Sequence, residues 1–124
     1  MANILLVDDD PVLLELYKTR LERDKHVVEI CGDGETALDK LKIFKTDVII
    51  LDLMMPKVNG FKFLEQFKND NSIKSIPIIV FSSLIRPEQA EFLKKQGVKE
   101  TINKIDVTPT QLVETINRII QSPT

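Results

Sequence analysis

Four short groups of residues in this chain of 124 could do chemistry together. Three aspartates stand in a row, Asp8-Asp9-Asp10, directly after the apolar run Ile4-Leu5-Leu6-Val7. Asp52 follows Val48-Ile49-Ile50-Leu51, Ser82-Ser83 follows Ile78-Ile79-Val80-Phe81, and Lys104 follows Thr101-Ile102-Asn103. Brought together, the carboxylates would repel one another and invite a hard divalent cation such as Mg2+, which prefers oxygen ligands. A divalent cation beside a carboxylate and a lysine makes a seat for a phosphoryl group. The cations offset its charge and a hydroxyl can donate to its oxygens. A carboxylate can itself accept that group as an acyl phosphate.

Positioning these groups falls to the elements that precede them. The three strong apolar runs are short and aliphatic, as expected of parallel strands covered on both faces. Val27-Val28-Glu29-Ile30 and the segment near Thr101-Ile102-Asn103 are weaker strand candidates. Helical patterns fill the gaps. Asp10-Pro11 reads as an N-cap with a first-turn proline, followed by Leu13, Leu14, Tyr17 and Leu21 on one face. After Asp33-Gly34, the residues Ala37, Leu38, Leu41 and Phe44 repeat at helical spacing, and after Asn59-Gly60 so do Phe61, Leu64 and Phe67. Pro87 opens a segment carrying Ala90 and Leu93 that Gly97 closes. Thr108-Pro109-Thr110-Gln111 is a capping box ahead of Leu112, Val113, Ile116, Ile119 and Ile120. Repeated strand-helix units predict an α/β fold, a doubly wound parallel sheet with helices on both faces. Ligands of such sheets bind outside the carboxyl ends of the strands, where Asp8, Asp9, Asp52, Ser82 and Lys104 all fall.

Composition narrows the function classes. Apolar residues make up 43% and charged residues 29%, as in ordinary globular domains, and the length fits one domain, 1–124. Seventeen basic and nineteen acidic residues give a formal charge of −2, which argues against nucleic acid as the main ligand. One cysteine, Cys31, allows no internal disulfide, and with one histidine, His26, it cannot build a four-ligand zinc site. No signal peptide or membrane span is expected, so the expected location is the cytoplasm. Asp10 reads as a helix cap rather than a site residue. His26 reads as a surface residue at the start of the second strand. Tyr17, Phe61, Phe63 and Phe67 read as core by their spacing, and Cys31 as a buried or half-buried thiol without a role.

The ordered set resembles the response-regulator receiver domain of two-component signalling. The segments that carry the resemblance are Ile4 to Pro11, Asp47 to Pro56 with Gly60, Ile76 to Ser83, and Gly97 leading to Lys104; together they cover essentially the whole chain. The resemblance implies a five-stranded sheet in the order 2-1-3-4-5. It implies that Asp52 is the phospho-acceptor and that Mg2+ is held by Asp9 and Asp52 directly, by Asp8 mostly through water, and by the Met54 backbone carbonyl. Ser82 would turn its hydroxyl toward the phosphoryl group, the Ser83 amide would donate to it, and Lys104 would be the family's lysine. Implied partners are a sensor histidine kinase or histidine phosphotransfer protein, and a downstream protein or effector domain. Some receivers dimerise, so the expected state is a monomer or a phosphorylation-dependent dimer. The implied activity is phosphoryl acceptance and slow autodephosphorylation rather than conventional turnover.

Three positions depart from the family pattern. Ile105 stands where most receivers have a proline, often after a cis bond. A cis bond before another residue costs about 2.5–4 kcal/mol, so either Lys104–Ile105 is trans and the loop takes another shape, or the site carries strain. Thr101 occupies the aromatic switch position, which shifts the expected output to the Ser82 loop and the surface around the fourth helix, fifth strand and fifth helix. Met54 and Leu84 are apolar where the family's attacking water passes, which predicts slow loss of the phosphoryl group. Rival readings meet specific obstacles. An aspartyl-nucleophile phosphatase would need an acid at Met54, and a flavin module would need a Ser/Thr/Gly-rich phosphate loop instead of three aspartates. A phosphorylation-independent interaction module of receiver fold stands as the alternative. The chain is expected either as a stand-alone receiver or as part of a longer protein.

Overall fold

A computed structural model describes residues 2–53, 60–83 and 85–121. Among these residues, five strands alternate with five helices: β1 Asn3–Val7, α1 Pro11–Arg23, β2 Val27–Cys31, α2 Gly34–Leu41, β3 Val48–Leu51, α3 Gly60–Lys68, β4 Ile78–Ser82, α4 Pro87–Lys95, β5 Glu100–Asn103 and α5 Pro109–Gln121. All strand pairings are parallel, and the order is β2-β1-β3-β4-β5, as the sequence predicts.

The strand alternation divides the core in two. Leu5, Val7, Ile49, Leu51, Ile78 and Val80 face one side, where α2, α3 and α4 cover them with Ala37, Leu41, Phe63, Leu64, Phe67 and Leu93. Ile4, Leu6, Val48, Ile50, Ile79 and Phe81 face the other, under Leu14, Tyr17 and Leu21 of α1 and Leu112, Val113, Ile116 and Ile119 of α5. Every residue of β3 and β4 is therefore buried, which is why these runs show no polar alternation. The two edge strands, β2 and β5, carry most of the partly exposed strand residues and have the weaker sequence signals.

Local chemistry sets the helix ends. Asp10 accepts from the Val12 and Leu13 N–H groups ahead of α1. Thr108 and Gln111 form the reciprocal capping box of α5, at 2.8 and 3.1 Å. Gly97, at φ +96°, ends α4 in a Schellman motif: Val98 N–H donates to Leu93 O and Gly97 N–H to Lys94 O, with Leu93 and Val98 both buried.

Four expectations need correction or sharpening. The second helix stops at Leu41, and Phe44 lies beyond it, half-buried, in turns where Lys42 and Ile43 bond three residues back. His26 is buried, because its ring ties three segments together: the Ala2 N–H donates to Nδ1 at 3.0 Å, which leaves Nε2 to donate to Asn117 Oδ1 at 2.7 Å. Phe61 is 37% exposed and meets Phe92 of α4 at 6.5 Å instead of entering the core, which Phe63 and Phe67 fill. Of the two possibilities for Lys104–Ile105, the bond is trans, since the described residues contain no cis peptide. The loop takes another shape, a 3-10 turn over Lys104–Asp106.

Candidate functional site

Sheet topology brings the acidic residues together. From β1 the chain passes to β2 on one side and then returns to β3 on the other, so the winding reverses between β1 and β3. The register pairs Val7 with Leu51, and Asp8 and Asp52 are each the next residue. They leave the sheet side by side at its carboxyl edge, at the crevice where open α/β sheets hold ligands. The Asp52 N–H donates to Val7 O at 2.9 Å, which fixes this juxtaposition through the backbone.

The side chains converge on one point. Asp8, Asp9 and Asp52 each offer a carboxylate oxygen, and these oxygens lie within 4.8 Å of one another. Asp8 and Asp52 are both buried, at 4% exposure, whereas Asp9 is exposed. Lys104 reaches over from the end of β5: its Nζ donates to Asp8 Oδ2 at 2.7 Å and lies 3.5 Å from Asp52 Oδ2. Ser82, the last residue of β4, donates its hydroxyl to Asp52 Oδ1 at 2.7 Å. Asp10, predicted to cap α1, does so, and its N–H also donates to Asp8 Oδ1 at 3.0 Å. Ser83 is exposed beside this group. Met54 lies outside the described residues, as does Leu84.

Electrostatics follow from burial and proximity. Burial lifts the Asp8 carboxyl above its ordinary value, and the nearby Asp52 charge adds to this; the Lys104 and Asp10 hydrogen bonds offset only part of it. Burial opposes the charge on Lys104, yet its hydrogen bond to Asp8 and the two carboxylate charges together raise its pKa. Beneath the ammonium, the Phe81 ring centroid lies 5.9 Å from Nζ, and Tyr17 meets Phe81 edge to face at 5.4 Å. The donor set suits Mg2+: carboxylate oxygens without nitrogen or sulfur, two of them buried at the base and one on the open side.

Two further residues shape the site. Gly60 opens α3 against the end of β3. A Cβ there would lie 2.6 Å from Leu53 Cα and 2.8 Å from Asp52 O, so only glycine permits this approach, and the Gly60 N–H bonds Leu53 O at 3.1 Å. The sequence marks Gly60 only as part of a motif, and Asn103 only as the end of a weak strand candidate. The Asn103 Oδ1 accepts from the Ile85 N–H at 2.6 Å, across the loop that follows Ser82. A polar residue between Ile102 and Lys104 at a strand's end is the available signal.

Comparison with known proteins agrees with this geometry. The response regulator receiver domain model matches residues 4–117. Protein PilH of Pseudomonas aeruginosa is 32% identical over 122 residues, covering 97% of this chain and 98% of that protein. The gliding motility regulatory protein of Myxococcus xanthus is 31% identical over 94% of this chain, which spans only 15% of that longer protein. Among solved structures, the chemotaxis response regulator CheY4 of Vibrio cholerae superposes with a TM-score of 0.87 at 30% identity, covering 96% of this chain and 98% of that one. None of the described helices is long and apolar enough to cross a membrane. On its topology, the convergence at its sheet edge and these matches, the chain belongs to the response regulator receiver domain family of two-component systems.

Proposed function

We propose that residues 1–124 act as one receiver domain, in which Asp52 accepts a phosphoryl group from a phosphohistidine on a sensor kinase or phosphotransfer protein. One observation carries this reading: three carboxylates, a lysine ammonium and a serine hydroxyl meet at the switch point of the sheet. An Asp52 oxygen attacks phosphorus, the N–P bond breaks, and the imidazole leaves with the electron pair and takes up a proton. An acyl phosphate remains on Asp52. Lys104 sits where it can pair with the added charge, and Ser82 can pass its hydrogen bond from the carboxylate to a phosphoryl oxygen. The Ser83 amide is proposed as a second donor. Asp9 and Asp52, with Asp8 through water and the Met54 carbonyl, are proposed to hold Mg2+, which when bound would offset phosphoryl charge. Hydrolysis by water then returns the carboxylate and releases phosphate.

Partner approach is proposed along α1 and the start of α5. Val12, Leu16 and Ile105 are exposed apolar residues at 77%, 53% and 76%. Val12 and Leu16 border one groove with Pro109, beside Arg20 and Arg23. Output is proposed through the α4, β5 and α5 surface toward a downstream protein or effector domain, in the cytoplasm, as a monomer or a phosphorylation-dependent dimer.

The test is incubation with Mg2+ and acetyl phosphate, read by intact mass, with Asp52→Ala as control. One added phosphoryl group that needs both Mg2+ and Asp52 supports the reading. No label under any condition favours an interaction module that works without phosphorylation.

A further inference from the structure

We infer that Asn103 is a positioning residue for the acceptor site: its side-chain carbonyl latches the loop after β4, so that Ser82 faces Asp52 before any phosphoryl group arrives. This role rests on the phosphoryl-acceptor reading of Asp52.

Asn103 is the residue paired with Ser82 in the β4–β5 register, at the last rung of the ladder. The next residue on one strand is Ser83, where the chain turns toward α4; the next on the other is Lys104, where it enters a 3-10 turn. Backbone pairing therefore cannot continue, and the side chain of Asn103 extends it instead. Its Oδ1 accepts from the Ile85 N–H at 2.6 Å in a half-buried setting. The Ile85 side chain packs on the α2–α3–α4 core at the same time. Arg86, next along, donates its N–H to Gln89 Oε1 at 3.0 Å as α4 begins. Ile85 and Arg86 are thus held by Asn103 and Gln89, and Ser82 by its hydroxyl on Asp52.

Elementary packing does not demand asparagine at this position. A β-branched apolar residue would suit a strand beside Ile102 and would pack well. It would leave the Ile85 N–H without this acceptor, and a half-buried donor that loses its partner drives the backbone to rearrange. Thr101, two residues earlier on β5, offers no aromatic ring to wedge the loop. The hydrogen bond of Asn103 supplies the tether, and it acts through the neighbour of Lys104. One residue pair, Ser82 and Asn103, thereby connects the hydroxyl and the ammonium that flank Asp52.

Asn103→Val separates this role from simple packing, with Asn103→Asp as the conservative variant that keeps an acceptor oxygen. Three quantities are measured on the full chain: hydrogen exchange of the Ile85 amide, Mg2+ affinity by titration, and the rate of labelling by acetyl phosphate at saturating Mg2+. For Asn103→Val, Ile85 protection is expected to fall about tenfold, the worth of one hydrogen bond, and labelling to slow several-fold. Mg2+ affinity should stay at the wild-type value, since Asp8, Asp9 and Asp52 are set by β1 and β3. Asn103→Asp should keep the Ile85 protection. If Asn103→Val proves poorly folded by urea titration, Asn103→Leu, which has the branching of asparagine but no acceptor, gives the same comparison with less change in shape. Unchanged Ile85 exchange, or lost protection with an unchanged labelling rate, would overturn the inference. Failure of the underlying reading looks different: the wild type itself then takes no Asp52-dependent label.

Discussion

The Lys104 ammonium is bonded to the Asp8 carboxylate at 2.7 Å, and Asp8 is almost wholly buried. Lys104 is shared with Asp52, 3.5 Å away, and ionised Asp8 works against the fold in the absence of metal: burial opposes its charge and Asp52 repels it. Asn at this position keeps an oxygen that can accept from Lys104 and removes the charge. Asp8→Asn is therefore expected to stabilise the metal-free protein by about 1 kcal/mol in urea unfolding. The same substitution should weaken the gain that Mg2+ gives the wild type, which obeys mass action and reaches about 2.7 kcal/mol at a hundred times the dissociation constant. A metal-free variant less stable than the wild type would contradict this account.

Gly60 tests the backbone side of the site. Alanine usually favours a helix over glycine by about 1 kcal/mol. Here its Cβ would press on Leu53 Cα and Asp52 O, which are backbone atoms and cannot rotate away. The clash decides the sign. Gly60→Ala should cost about 1–3 kcal/mol and slow acetyl phosphate labelling of Asp52, because α3 or the end of β3 must shift. A stabilised variant with normal labelling would show that the approach is looser than these distances imply.

How much of the molecule is legible in its sequence depends on the kind of signal. The core strands β1, β3 and β4 announce themselves because both of their faces are buried, and Asp8, Asp52, Ser82 and Lys104 are found at the residues where strands end. The cap at Asp10 and the box at Thr108 are local, so their chemistry is written within four residues. The features that escape depend on partners far along the chain. His26 reads as a surface residue because Asn117, its partner, lies 91 residues away. Asn103 reads as unremarkable because Ile85 lies 18 residues back. Phe61 has helical spacing suited to the core, but Phe63 and Phe67 already occupy that space. The shape of the loop after Lys104 stays open because sequence distinguishes poorly between a reshaped turn and a strained bond.

Cys31 gives a prediction that depends mainly on burial. Burial at the end of β2 pushes its thiol from 9.0 up to about 11. The thiolate is the reactive form, so this shift lowers its population about a hundredfold near pH 8, before steric protection is counted. Iodoacetamide should label the native protein far more slowly than a free thiol, and urea should restore the free-thiol rate. The linkage has a definite sign. Between pH 9 and about 11 the unfolded chain has lost this proton and the native chain has not, so rising pH erodes stability through that window. Rapid native-state labelling at pH 8 would contradict the burial argument.

The family resemblance puts apolar Met54 and Leu84 where the attacking water passes, and slow loss of the phosphoryl group is proposed on that ground. Neither side chain can orient a water by hydrogen bonding. The double substitution Met54→Asn and Leu84→Glu is expected to speed loss of the label. The check is the decay of the phosphorylated mass after removal of acetyl phosphate. An unchanged half-life would assign the rate to other groups.

Phosphotransfer between proteins should depend on surface that small donors never touch. Val12 and Leu16 project from α1 at 77% and 53% exposure, on a helix whose N-terminal cap, Asp10, adjoins the acidic cluster. On the proposed function a phosphohistidine protein rests against this region to bring its imidazole in line with Asp52, and exposed aliphatic side chains beside Arg20 and Arg23 offer it apolar contact with a charged rim. Acetyl phosphate needs only the crevice. Leu16→Asp is therefore expected to lower the rate of transfer from a phosphohistidine donor protein about tenfold or more, the effect of losing one central apolar contact. Labelling by acetyl phosphate should stay within about twofold, because surface substitutions of this kind barely change stability. Equal loss with both donors would mean that α1 acts on the site itself, and no loss with either would move the docking surface elsewhere.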